Sequence, residues 1–112
     1  MPDTDVLRQE LDASVDRFEQ YRASVSTAID ERPPGELSRA LDAILPELVF
    51  YEGQAYAAGL GLARIGAGGG VDDVARVLSR GLIEQQAARR GHDFLAGFAA
   101  TLARVTHIHS NE

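Results

Sequence analysis

The sequence of 112 residues has no cysteine and no tryptophan, and all 11 of its basic residues are arginine. Without cysteine there is no disulfide, no thiolate metal ligand and no sulfur nucleophile. No run approaches the ~18 uninterrupted apolar residues that a membrane span needs. The opening stretch MPDTDVLRQE is acidic and helical in pattern, unlike a secretory or transit peptide, so the cytoplasm is the expected compartment and no membrane the expected partner. Basic residues are outnumbered 17 to 11, for a net charge of -6, and are scattered along the chain. They cannot neutralise a run of phosphates, which argues against a nucleic-acid partner. Also missing are a Gly-x-Ser-x-Gly elbow, a glycine-rich phosphate loop, and the His-Glu-x-x-His and Glu-x-x-His metal signatures. These absences predict a chain that is not an enzyme and has no catalytic residues, cofactor or metal.

What remains is a single domain of average composition, 45% hydrophobic and 25% charged, enough to fold around one core. Two strong breaks divide it, Pro33-Pro34-Gly35 and the glycine-rich residues 66–70. Between them apolar residues recur at helical steps of four and three. Leu7, Leu11, Phe18, Tyr21, Val25 and Ala28 predict a helix over about residues 4–30, capped by Asp3 or Thr4. Leu37, Leu41, Ile44, Leu48, Tyr51, Ala58, Leu62 and Ile65 predict a second, which runs through Pro46 with a kink. Gly53, Gly59 and Gly61 each weaken its interior, and the close approach of a neighbouring helix is the expected compensation. The third segment starts at Val71-Asp72-Asp73 and keeps its period past Gly91. The pattern therefore predicts an all-α, antiparallel up-down bundle of three long helices, the third continuous or kinked at Gly91 into a fourth.

Mirroring the heptads about the two loops brings Ser14, Tyr51 and Gln85 into one layer, which predicts a buried polar layer that fixes the helix register. The same register places Ala99 beside Leu37, so the third helix overhangs the Pro33-Pro34 turn. A stripe of Phe94, Phe98, Leu102, Val105 and Ile108 then needs a cover. The expected cover is a second copy or a helix of another protein. The function this implies is a non-enzymatic protein–protein interaction module, a small acidic adaptor, chaperone or regulatory subunit.

Three residues are candidates for chemistry: His92, Glu52 and Glu84. The mirrored register brings the two carboxylates near each other, as a metal- or ligand-binding bundle would. His107 and His109, two apart, point from different helix faces. His92-Asp93-Phe94 followed by an apolar helix resembles the phospho-acceptor box of histidine kinase dimerisation domains, which implies a dimeric helical bundle phosphorylated on His92. That family has Asn four positions after the histidine, where Ala96 stands here. Arg104 and His109 have a spacing similar to that of HEPN ribonucleases, whose Arg and His act on RNA at a dimer interface. The Asn that follows the arginine in that family is Val105 here.

Overall fold

The computed structural model describes residues 2–110. It contains four helices packed against one another, α1 (Pro2–Glu31), α2 (Leu37–Gly66), α3 (Val71–Ala87) and α4 (His92–Ser110), and no strand among the described residues. Thr4 lies inside the first turns of α1 rather than capping it, while the side chain of Asp3 lies outside the described residues. The two long helices match the sequence pattern closely, and Pro46 sits within α2 as the unbroken apolar register requires.

Two of the three turns use the same device. At the end of α2 the N–H of Gly69 donates to the carbonyl of Arg64 (2.9 Å) and that of Gly68 to Ile65 (2.9 Å), with Gly68 at φ +95°. This is a Schellman cap, which needs one residue in the left-handed region. At the end of α3 the N–H of Arg90 donates to Gln85 (3.2 Å) and that of Arg89 to Gln86 (3.0 Å). Here the left-handed position is Arg89, at φ 58°. The third segment, expected to be continuous or kinked at Gly91 into a fourth helix, is two helices, because residues 88–91 form a full turn that reverses the chain. α3 itself opens as its sequence suggests: Asp73 accepts a hydrogen bond from the N–H of Gly70 (2.9 Å), and Asp72 and Asp73 complement the helix dipole.

The reversal decides the packing. Tyr21 meets Tyr51 and Leu11 meets Gly61, so α1 and α2 run antiparallel. Gly97 meets Phe50 and Thr101 meets Gln54, so α4 runs alongside α2 in the same direction. Those two helices touch backbone to backbone. A Cβ on Gly53 would fall on the carbonyl oxygen of Phe94, and one on Gly97 on that of Phe50. The compensation expected for Gly53 is present, and Gly61 makes room for Leu11 and Val74, but Gly59 has nothing within 4 Å.

The core lies where all four helices meet, around Leu7, Leu11, Ala57, Ala58, Val74, Leu78, Phe94, Phe98 and Val105. This overturns the register in which the stripe on the last segment overhangs. α4 lies over α2 from Phe50 onward, not beside the Pro33-Pro34 turn. Phe94, Phe98 and Val105 are at most 2% exposed within a single chain, and Leu102 and Ile108 pack against the same core. The stripe needs no second chain to cover it.

Candidate functional site

Val6, Tyr56 and Ile83 are singly exposed, and a longer half-covered apolar stripe runs along α1 and α2. α1 and α2 have 30 residues each, α3 and α4 only 17 and 19. The short pair folds back over the half of α2 beyond Phe50, and the long pair continues as a two-helix arm, giving the molecule a long axis of 51 Å. Along the arm the sequence keeps its heptads, but two helices can bury only the seam between them. Val25 is the one buried apolar side chain, among the described residues, that stands outside the main core. Phe18, Ile29, Leu37, Leu41, Ile44 and Leu48 are half-buried, and Leu45 is 46% exposed. Leu45, Val49 and Gly53 are spaced four apart and so form one ridge of α2. α4 covers that ridge at Gly53 and Val49 packs on the core, but the ridge runs on past them to Leu45. Near the root of the arm, the Tyr21 hydroxyl donates to Glu47 (2.9 Å), and its ring lies 5.1 Å from that of Tyr51. Burial first, then the bond to Glu47, push the Tyr21 phenol above its ordinary range.

A second feature lies between α1 and α4, which flank the same strip of α2 with little direct contact. They leave a cleft of about 270 Å³ whose lining includes Leu11, Ser14, Arg17, Gln54, Ala100 and Thr101. Arg104 spans it to Glu10 at 2.9 Å. The hydrogen bond from Arg104 holds the Glu10 carboxyl below its usual range, against the opposing effect of burial, and the charges of Arg104 and then Arg17 add to the lowering. Within the lining, Arg17 donates to the Gln54 amide oxygen and the Thr101 hydroxyl to the Gln54 backbone carbonyl, each at 3.3 Å.

The residues singled out in the sequence are dispersed. Ser14, Tyr51 and Gln85 are half-buried and do not share a hydrogen-bonding set. The Ser14 hydroxyl donates back to the Glu10 carbonyl of its own helix, and the Tyr51 ring lies tilted against that of Tyr21. Among the described residues, the buried polar one is instead Thr101, 4% exposed. It stands between Phe98 and Val105 on the inner stripe of α4, a position that marks it once α4 is seen as a separate helix. His92 is exposed at the first position of α4, not on the core seam. Glu52 is within 3.8 Å of Arg90, whose guanidinium lies over the ring of Phe94. Glu84 lines the groove between α2 and α3 with Leu60 and Arg80. No group of three or more potential metal ligands gathers among the described residues. His107 and His109 lie in the last turn of α4, and no described helix is long and apolar enough to cross a membrane.

Fold and site together define a small all-helical protein with a four-helix body and a projecting two-helix arm. The sequence matches no family model, and neither curated proteins nor solved structures give a match.

Proposed function

We propose that this chain is a non-enzymatic protein–protein interaction module, a small acidic adaptor or regulatory subunit, that works through its arm and pairs there with a second copy of itself. The observation that carries this reading is the half-covered stripe on α1 and α2, with Leu45 exposed at its edge. A face about 20 Å long and two helices wide is roughly 400 Å² in projection, the scale of a reversible contact rather than an obligate one. Two such arms laid face to face complete a four-helix cross-section, in which each stripe covers the other and the same patch serves both partners. The stripe on α4, filled by its own chain, has no part in this.

Sedimentation velocity across a concentration series tests the proposal. The intact chain is expected to move from monomer to dimer, and Leu45→Glu to stay monomeric with an unchanged helical spectrum. A chain that stays monomeric at every concentration removes the self-association, as does a Leu45→Glu variant that dimerises like the parent.

One observation favours a second reading, a phospho-relay-like module: His92 is exposed and followed by Asp93 at the start of α4. Acid-labile phosphate on His92 after incubation with a histidine kinase would support it, and its absence would leave the arm as the functional surface.

A further inference from the structure

We infer that the cleft between α1 and α4 is a binding site for a small organic carboxylate, held at its charged end by Arg17 and the Gln54 side-chain amide. This inference is independent of the arm. Its volume of about 270 Å³ lies just below the usual range of small-molecule pockets, which fits a compact ligand and no larger one. Small residues, Ser14 on α1 and Ala100 on α4, are among those that line the cleft, and Arg104 and Glu10 strap the two helices together.

The polar groups select the charge. Arg17, Arg104 and Glu10 together leave one net positive charge on the lining, in a chain of net charge -6. A monoanion balances that charge. A phosphate dianion exceeds it and meets the repulsion of the whole molecule. Arg104 is committed to Glu10 at 2.9 Å, whereas the bond of Arg17 is to a neutral amide at 3.3 Å. A carboxylate offers that guanidinium a shorter, charge-assisted and bidentate partner, and frees the Gln54 amide to turn and donate to the same ligand. Leu11 and Ala100, also on the lining, supply an apolar surface for the ligand's body. The described residues contain no buried side-chain polar atom without a partner, so the empty cleft strands no polar group.

The test is a titration of the full chain with sodium benzoate against sodium chloride at matched ionic strength, followed by amide and side-chain NMR. The expected result is a saturable shift of the Gln54 side-chain amide and the Thr101 amide, with a dissociation constant on the order of 1 mM. Arg17→Gln should weaken it at least about tenfold, the loss of one charge-assisted contact, while Arg39→Gln, on the arm, leaves it unchanged. Ala100→Leu, which fills the cleft, should abolish the shift without lowering the melting temperature. The inference is overturned if benzoate moves these signals no more than chloride does, if Arg17→Gln binds as the parent does, or if Ala100→Leu keeps the site.

Discussion

Replacing a glycine by alanine in a helix normally stabilises it, yet the seam between α2 and α4 reverses that sign at two positions and leaves it intact at a third. At Gly53 the added Cβ meets the Phe94 carbonyl oxygen, with the Phe94 carbonyl carbon and the Phe98 nitrogen each at 3.0 Å. At Gly97 it meets the Phe50 carbonyl oxygen, with the Gln54 nitrogen at 3.0 Å. All of these neighbours are backbone atoms, so no rotamer change relieves the overlap and the helices must part by about 1 Å. A gap of that size forfeits a quarter to a half of the dispersion attraction across it. Phe94, Phe98 and Val105, worth together about 6 kcal/mol of burial, lie along the opened seam, so the loss is about 1.5–3 kcal/mol. Alanine returns about 0.8 kcal/mol in helix propensity. Gly53→Ala and Gly97→Ala should each lower stability by about 1–2 kcal/mol, a fall in melting temperature of about 5–8 °C by calorimetry. The double variant should lose less than the sum, because one separation clears both contacts. Gly59→Ala, in the same helix with nothing within 4 Å, should instead gain about 0.5–1 kcal/mol. If Gly53→Ala and Gly97→Ala are neutral or stabilising, or Gly59→Ala is equally harmful, the close approach of α2 and α4 is wrong.

Other consequences are more local. Arg89→Gly should raise the melting temperature by about 2–4 °C, because relief of the left-handed strain exceeds the entropy glycine adds to the unfolded chain, and a fall instead would argue against the turn at residues 88–91. Gly68→Ala, at φ +95°, should cost about 1 kcal/mol in denaturant unfolding, and a neutral result would disprove the cap that ends α2. The Glu10 carboxyl is held below its ordinary value of 4.5, so its contribution is present above that pH and is lost as pH falls through the folded-state value. Glu10→Gln should therefore melt no more than ~2 °C below the parent at neutral pH and together with it in acid, since the pair is exposed; a pH-independent difference would contradict the ion pair. Phenolate absorbance should show Tyr21 ionising above the ordinary tyrosine range, and Glu47→Gln should bring it down. An unchanged titration would remove the Tyr21–Glu47 bond.

Both long helices, their loop and the start of α3 were legible because an apolar period broken only by proline and glycine leaves few alternatives. The turn at residues 88–91 showed only as a possible kink at Gly91, not as a reversal, and the two Schellman caps show why. One places glycine at its left-handed position, which announces itself in a sequence. The other places Arg89 there, and a single arginine carries no such signal. The period is no help either, since Gln85, Ala88, His92 and Leu95 keep helical spacing across the break. From that one hidden residue the other differences follow. A continuous third helix sends Phe98 and Val105 out past the bundle, whereas a reversed one sends them into it. The cleft was equally hidden, because Glu10, Arg17 and Gln54 read as ordinary surface residues until α4 is laid beside them.

The arm is the geometric remainder of unequal helix lengths, and this gives its exposure a measurable correlate. A 30-residue helix is about 45 Å long, and a 19-residue one about 28 Å, so α4 cannot cover α2 along its whole length whatever its register. Opening free energies fall where buried apolar contacts are few. Amides at 40–48 on the arm should therefore exchange with solvent faster than those at 57–61, which sit among Ala57, Ala58 and Gly61 in the body. If arms pair between copies, protection at 40–48 should rise with protein concentration and that at 57–61 should not, because a partner that binds only the ordered arm stabilises it by mass action. Uniform protection along α2 in dilute solution would mean that the arm is covered by its own chain. Low protection that never responds to concentration would mean that two copies do not meet there.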